Sequence, residues 1–170
     1  MLITLVVANQ KGGVGKTTTA LNLAASLSAA SRKVLLIDLD SQGNSTSGTG
    51  EEKNEASHSL IDILLNEGFP IEKAIEQTKY KFDLIPASVD LISAEIELGS
   101  LPNPTSLLKN KLSNMQASYD YVVIDCPPSL GMISVSALRA ASKVLIPIQC
   151  EYYSLEGLAS MSKTLREINE

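Results

Sequence analysis

Residues 9–19 decide the fold, and they read N-Q-K-G-G-V-G-K-T-T-T. The run follows an apolar stretch at 2–8 and precedes a helical pattern that starts near Lys16. Glycines at 12, 13 and 15 let the backbone turn tightly and aim N–H groups inward, where they and the positive end of the helix can hold phosphate oxygens. A glycine-rich loop followed by Lys-Thr-Thr between a strand and a helix predicts a phosphate-binding loop.

Side chains of the loop and of the first helical turn add to the predicted phosphate site. Lys16 is expected to neutralise the β- and γ-phosphates of a nucleotide, and the Thr17 hydroxyl to become a ligand of Mg²⁺. Gln10 stands where the usual P-loop pattern begins with glycine, and a second lysine, Lys11, is added; by itself Lys11 could equally be a solvated loop lysine. The predicted nucleotide-binding residues are Lys11, Gly12, Gly13, Val14, Gly15, Lys16, Thr17 and Thr18.

Short apolar runs recur along the chain. They are continuous instead of alternating, which is typical of strands covered on both faces of a parallel sheet. These predicted strands lie at 2–8, 34–37, 82–85, 121–124 and 144–148. Helical patterns separate them, after the first helix, at 59–66, 71–77, 89–98, 105–115, 131–141 and from 155 onward. Strands alternating with helices predict a doubly wound, mostly parallel α/β fold.

Length and composition set the class of protein. With 170 residues, 44% hydrophobic and 19% charged, residues 1–170 are expected to form a single soluble domain. A net charge of −5 gives no global positive field for nucleic acid or an anionic membrane. The N-terminus has no signal-peptide pattern, no apolar run approaches the ~20 residues of a membrane helix, and two cysteines make no disulfide framework. Together these features predict a cytoplasmic protein, with Cys126 and Cys150 as small core residues.

Two stretches leave alternatives open. Residues 41–54 read S-Q-G-N-S-T-S-G-T-G-E-E-K-N and contain no hydrophobic residue. They fit a flexible surface loop, or a mobile switch segment, because they begin where a buried strand ends and α/β proteins place their ligands there. The last helix stops at Glu170 with no Gly or Pro signal, so either the sheet ends there or the chain is a fragment.

Three aspartates end apolar strands. Asp38 and Asp40 close the second strand, and Asp125 follows Y-V-V-I in a later one. Carboxylates beside a polyanion are unfavourable unless a cation or a nucleophile needs them, so Mg²⁺ coordination and water positioning are physical reasons for their presence. Each could otherwise be a helix cap or a solvated turn. The predicted metal ligands are Thr17, Asp38, Asp40 and Asp125.

A family resemblance adds to this interpretation. The segment K-G-G-V-G-K-T-T at 11–18 resembles the deviant Walker A motif of the ParA/MinD superfamily, a group of SIMIBI-like P-loop NTPases. L-L-I-D-L-D-S-Q-G-N at 35–44, Y-D-Y-V-V-I-D-C-P-P at 119–128 and L-I-P-I-Q-C-E-Y-Y-S-L-E-G-L at 145–158 are similar to further family blocks, in the same order. The likeness is strongest to the ParA/Soj partition ATPases, relative to which the chain is expected to lack its C-terminal part.

The resemblance implies an ATP- and Mg²⁺-dependent ATPase that acts as a dimerisation switch in chromosome or plasmid partitioning. It implies catalytic roles for Lys11, Lys16 and Asp40: Asp40 would activate the attacking water, and Lys11 would reach the phosphates bound by the other subunit. Asp38 would support the magnesium shell and Asp125 would be the Walker B aspartate. A ParB-like activator and non-specific DNA binding, through a dimer and residues beyond this chain, are further implications, with nucleoid association if DNA binding is retained.

Three alternatives compete with this interpretation. A MinD-like ATPase cycling on membranes would need a basic amphipathic C-terminal helix, and M-S-K-T-L-R-E-I-N-E is too short and mixed in charge. An electron-transfer protein like nitrogenase reductase would need two suitably exposed cysteines to bridge a cluster. A nucleotide-binding module without turnover is the third. No N-K-x-D motif for guanine occurs, which favours adenine.

Overall fold

The computed structural model describes residues 2–51, 58–66, 68–88, 90–151 and 153–169. The strands are β1 (Ile3–Val7), β2 (Val34–Asp38), β3 (Glu76–Gln77), β4 (Asp83–Ile85), β5 (Tyr121–Asp125) and β6 (Lys143–Leu145). The helices are α1 (Lys16–Ala29), α2 (Asn44–Thr49), α3 (Leu60–Leu65), α4 (Leu91–Gly99), α5 (Leu107–Ser113), α6 (Met132–Ala140) and α7 (Tyr153–Asn169). Short 3₁₀ turns occupy Ile71–Ala74 and Pro104–Ser106. None of the helices described is both long and apolar enough to cross a membrane.

The strands form one six-stranded sheet in the order β3-β4-β2-β5-β1-β6. All neighbouring strands are parallel except β3, which pairs antiparallel with β4 at the edge. All five residues of β2 are buried, which explains why its first four, Val34 to Ile37, are apolar without a break; the fifth is Asp38. The predicted doubly wound, mostly parallel α/β fold is confirmed.

Helices cover both faces of the sheet. On one face, Val7, Leu36 and Val123 from three strands pack with Ala20 and Ala24 of α1. Small side chains on α1 let the helix lie close to the sheet, which brings its first turn near the strand ends. On the other face, strand residues pack against buried residues of helices α3 to α7, among them Leu60, Leu91, Leu108, Ile133 and Met161.

The structure corrects four local predictions. The predicted helix at 71–77 is a 3₁₀ turn followed by the edge strand β3. The predicted strand at 144–148 shortens to β6, and the polar segment at 41–54 contains the helix α2, although 52–54 lie outside the described residues. Cys126 is buried as expected, but Cys150 is exposed because it lies beyond the end of β6.

The parallel arrangement decides where the candidate site lies. The carboxyl ends of β1, β2 and β5 are adjacent, since Val7 pairs with Asp125 and Asp125 pairs with Asp38. The glycine-rich loop follows β1, so it lies at the same edge as both aspartates. Ligands of parallel α/β sheets bind at this edge.

Candidate functional site

A cavity of about 480 Å³ opens at the carboxyl edge of the sheet. Its lining combines the glycine-rich loop, the first turn of α1 and residues that follow β2 and β5. The lining residues are Gly12, Gly13, Gly15, Lys16, Thr17, Thr18, Asp40, Asn44 and Pro128. Six of the eight residues predicted to bind nucleotide therefore meet one predicted catalytic carboxylate across a single cavity.

Two glycines give the loop its shape. Gly13 and Gly15 have φ angles of 73° and 86°, in the left-handed region that residues with a Cβ rarely adopt. Gly15 is the N-cap of α1, so the turn delivers the loop directly to the helix N-terminus. A Cβ built on either glycine would meet no atom within 4 Å, so the loop surface is open toward the cavity. Backbone N–H groups at such a turn form an anion-binding surface.

Asn9 fixes the start of the loop. Its Oδ1 accepts a hydrogen bond from the Lys11 N–H at 3.0 Å, and its Nδ2 donates to the Pro147 carbonyl at 2.8 Å. The side chain is 6% exposed. Asn9 thus ties the loop to the segment after β6. Sequence reasoning did not single it out, and its position between an apolar strand and the first lysine was the available signal.

Lys16 is the cation of the cavity. Its Nζ donates to the Lys11 carbonyl at 3.0 Å, so the side chain folds back over the loop. Burial lowers the pKa of Lys16, and the nearby carboxylates of Asp125 and Asp40 oppose that effect. An added polyanion would favour the charged form further, which is the arrangement expected of a phosphate-binding lysine.

Asp38 and Asp125 form a buried carboxylate pair on adjacent strands. They are directly paired in register, and their exposed fractions are 0% and 1%. Burial raises the pKa of Asp38 to about 6, against hydrogen bonds from Thr46 that favour its charged form. Burial also raises the pKa of Asp125, against hydrogen bonds from the Ser45 and Thr17 hydroxyls. Two desolvated carboxylates side by side are unfavourable without a cation.

The pair fits a magnesium ion. Asp125 Oδ1 is buried without a hydrogen-bond partner in the described part of the chain. The Thr17 hydroxyl hydrogen-bonds the same carboxylate group. No group of three or more His, Cys, Asp or Glu residues that could hold a metal occurs among the residues described. A shell here would need phosphate and water oxygens as well, which is how Mg²⁺ is usually bound beside nucleotides.

Asp40 lies at the wall of the cavity and is partly exposed. Its Oδ1 accepts from the Gln42 N–H at 2.9 Å, and its own N–H donates to Asp38 Oδ1 at 3.1 Å. The Asp40 backbone is thereby fixed on the buried pair while its carboxylate stays accessible. The Asp40 carboxylate is therefore available to a ligand in the cavity, unlike the buried carboxylates of Asp38 and Asp125.

Lys11 and Val14 do not line the cavity. Val14 is buried, and the Lys11 ammonium forms a salt bridge with Glu151, in the segment after β6. Both side chains of this pair are substantially exposed, at 39% and 46%. The structure therefore places the Lys11 side chain at the surface, bonded to Glu151, while its carbonyl accepts from Lys16.

Four further residues belong to the site although sequence reasoning did not select them. Asn44 and Pro128 line the cavity. Ser45 and Thr46 on α2 hydrogen-bond Asp125 and Asp38. The signal available for the hydroxyls was their position shortly after Asp40, in a stretch that was treated as loop because it lacks hydrophobic residues.

Comparisons with known proteins identify what this chain is similar to. A family model described as "AAA domain" matches residues 3–170. The chromosome partitioning protein ParA of Myxococcus xanthus is 48% identical over 162 residues, which cover 95% of this chain and 57% of that protein. The sporulation initiation inhibitor protein Soj of Bacillus subtilis is 45% identical over 166 residues, covering 98% of this chain and 66% of Soj. The chain therefore spans about six-tenths of the length of these relatives.

A solved structure matches nearly the whole chain. It is the cobyrinic acid a,c-diamide synthase of Mycobacterium smegmatis with bound ATP analogue and magnesium, with a TM-score of 0.92 and 37% sequence identity. The match covers 99% of this chain and 68% of that structure.

Proposed function

Because the chain belongs to the ParA/Soj family of P-loop proteins, we propose that it binds ATP with Mg²⁺ and hydrolyses it as a nucleotide-driven dimerisation switch in DNA partitioning. One observation carries the proposal: a single cavity is lined by the glycine-rich loop and by the accessible carboxylate of Asp40, whose backbone is bonded to the buried Asp38. The ATP analogue and magnesium bound by the similar M. smegmatis protein support the choice of ligand.

The loop and α1 would hold the triphosphate. Backbone N–H groups around Gly13 and Gly15 and the N-terminus of α1 bind phosphate oxygens, and Thr18 contributes from the first turn. Lys16 exchanges its contact with the Lys11 carbonyl for the β- and γ-phosphates. These interactions position the γ-phosphoryl group near Asp40.

Asp40 would position the attacking water. The carboxylate accepts a hydrogen bond from the water, whose oxygen forms a bond to the γ-phosphorus while the bond to the bridging oxygen of ADP breaks; the water proton passes by way of Asp40 to the released phosphate. Thr17, Asp38 and Asp125 would hold Mg²⁺, which when bound neutralises charge developing on the phosphate oxygens. The bound cation would thereby compensate the negative charge of the two buried carboxylates.

Lys11 would act across a dimer. Its exposed salt bridge with Glu151 is of a type worth about 0–1 kcal/mol, so the ammonium can leave at small cost. In a second copy, it would add positive charge to the phosphates, much as an arginine finger does. Nucleotide would then favour dimerisation, because two lysine-rich loops facing each other without phosphates repel.

The partners follow from the same proposal. A ParB-like activator would stimulate turnover, and the dimer would bind DNA non-specifically through residues beyond this chain, near the nucleoid. Residues 1–170 would form one ATPase domain in this scheme. The net charge of −5 supports placing the DNA contacts elsewhere.

Nucleotide binding and dimerisation can be tested separately with two lysine variants. Isothermal titration calorimetry with Mg-ATP should detect binding by the wild type and not by Lys16→Ala. Lys11→Ala should bind nucleotide with similar affinity yet remain monomeric in size-exclusion chromatography with ATP. Asp40→Ala should bind, dimerise and release no phosphate.

Each outcome bears on a different part of the proposal. Absence of Mg-ATP uptake by the folded wild type would contradict nucleotide binding itself. Binding without phosphate release would leave a nucleotide-binding module in place of an enzyme. Normal dimerisation and hydrolysis by Lys11→Ala would contradict the role of this lysine across the dimer.

A further inference from the structure

Helix α2 bonds both buried carboxylates of the site. The Ser45 hydroxyl donates to Asp125 Oδ2 at 2.7 Å. The Thr46 N–H and the Thr46 hydroxyl both donate to Asp38 Oδ2, each at 2.8 Å. Ser45 and Thr46 are themselves 0% exposed. Two consecutive residues of one short helix thus hold two carboxylates that are paired across adjacent strands.

The Thr46 hydroxyl also reaches a third segment. Its Oγ1 accepts a hydrogen bond from the Ala87 N–H at 2.9 Å. Ala87 is buried and lies in the connection between β4 and α4. One oxygen atom therefore links the end of β2, helix α2 and the β4–α4 connection.

The direction of these hydrogen bonds makes the link sensitive to the carboxylate. A hydroxyl has one proton, which Thr46 gives to Asp38, so Oγ1 can only accept from Ala87. Hydrogen bonds in such a chain polarise one another, and those to an ionised acceptor are the stronger ones. A cation bound at Asp38 would therefore polarise the Ala87 hydrogen bond through a single shared atom, the Thr46 Oγ1.

We propose that Thr46 is a positioning residue that holds Asp38 in place for the bound metal and nucleotide and couples their presence to the β4–α4 connection. Ser45 holds Asp125 in the same way. The inference rests on the proposed function, because it is Mg-nucleotide that would bring a cation to the carboxylate pair. Beyond that function, it gives the Ser45 and Thr46 hydroxyls a role in the site. It also predicts that nucleotide binding affects the β4–α4 connection, which lies outside the cavity.

Thr49 provides a matched control. It lies on the same helix with 0% exposure, and its hydroxyl donates at 2.6 Å to the Thr46 carbonyl, within α2 itself. Thr46→Val and Thr49→Val each exchange a buried hydroxyl for a methyl group of similar size. Only the first removes a contact with a site carboxylate. Thr46→Ser keeps the hydroxyl and serves as the rescue variant.

The first readout is the Ala87 amide signal in NMR spectra titrated with Mg-AMPPNP. We expect it to shift in the wild type, Thr46→Ser and Thr49→Val, and to stay unchanged in Thr46→Val. The Gly13 and Gly15 amides should shift in all four proteins and report that nucleotide is bound. The second readout is kcat together with the Mg²⁺ concentration that gives half of the maximal ATPase rate. In Thr46→Val we expect a loss of about 10- to 100-fold in one of the two, which is the usual cost of removing a group that orients a metal ligand. KM for ATP, measured at saturating Mg²⁺, should change much less than the magnesium dependence.

The outcomes separate the inference from the function beneath it. If Thr46→Val shows the wild-type Ala87 shift and the wild-type magnesium dependence, the positioning role is wrong even though ATP is bound and hydrolysed. If the wild-type glycine amides do not respond to Mg-AMPPNP, the proposed function itself is contradicted. Should Thr46→Val not fold, Ser45→Ala is measured instead, with the same expected loss in magnesium affinity and its absence overturning the inference.

Discussion

Replacing Asp38 by asparagine tests whether the site is electrostatically frustrated without ligand. Burial raises the pKa of Asp38 from 3.8 to about 6 in the folded chain. Each pH unit between folded and unfolded pKa values corresponds to 1.36 kcal/mol, so the ionised carboxylate destabilises the fold by about 3 kcal/mol. Because the folded pKa is the higher one, this destabilisation is absent below about pH 4, grows as pH rises and is complete above about pH 6.

The assay is urea denaturation without nucleotide or divalent cations, followed by circular dichroism between about pH 4 and pH 7. Asparagine supplies one acceptor where the carboxylate accepts at two oxygens, so the variant also loses a hydrogen bond, at a cost that does not vary with pH. The free energy of unfolding of the wild type should therefore fall by about 3 kcal/mol relative to Asp38→Asn across this range. Asp120→Asn, an exposed site just before β5, controls for removal of a carboxylate. A constant difference between wild type and Asp38→Asn would refute the reasoning.

Three further substitutions have defined expectations. Gly15→Ala places a Cβ at φ 86° and should lower the free energy of unfolding by about 1–2 kcal/mol, measured by denaturant titration. Gly12→Ala, at a position without positive φ, should lower it less, and an equal loss in both variants would contradict the argument from backbone strain. Ser59→Ala removes the capping box of α3 and should cost about 1 kcal/mol, read from the urea midpoint, with an unchanged midpoint as the contrary result. Glu151→Gln releases Lys11 and should tighten the ATP-dependent dimer in analytical ultracentrifugation while thermal stability changes little; a weaker dimer would show that Glu151 assists Lys11.

The sequence was sufficient for the features that depend on strong local chemistry. The glycine-rich loop requires positive φ at Gly13 and Gly15, which glycine adopts readily, and its place between an apolar run and a helical pattern is visible in the sequence. Strands buried on both faces are continuously apolar, so β2 and β5 were located within a residue or two. The convergence of Asp38, Asp40 and Asp125 follows from parallel strands ending at one edge.

The remaining features depend on contacts between distant residues. Helix α2 was missed because its buried side chains, Ser45, Thr46 and Thr49, are hydroxyls whose partners are carboxylates and backbone, so no apolar pattern marks them. The edge strand β3 is two residues long and is defined by pairing with β4. The salt bridge of Lys11 joins residues from the two ends of the chain, and no local pattern predicts it.

The position of β1 in the sheet has a consequence for how the chain is made. β1 is synthesised before the other described strands, but its sheet neighbours are β5 and β6, and Ile3 pairs with Tyr121 about 120 residues later. At a synthesis rate of ~5–20 residues per second, its apolar side chains wait roughly 6 to 24 s for their first partner strand. The candidate site therefore cannot form until β5 has been synthesised, and chaperones that shield nascent apolar segments have that interval in which to act.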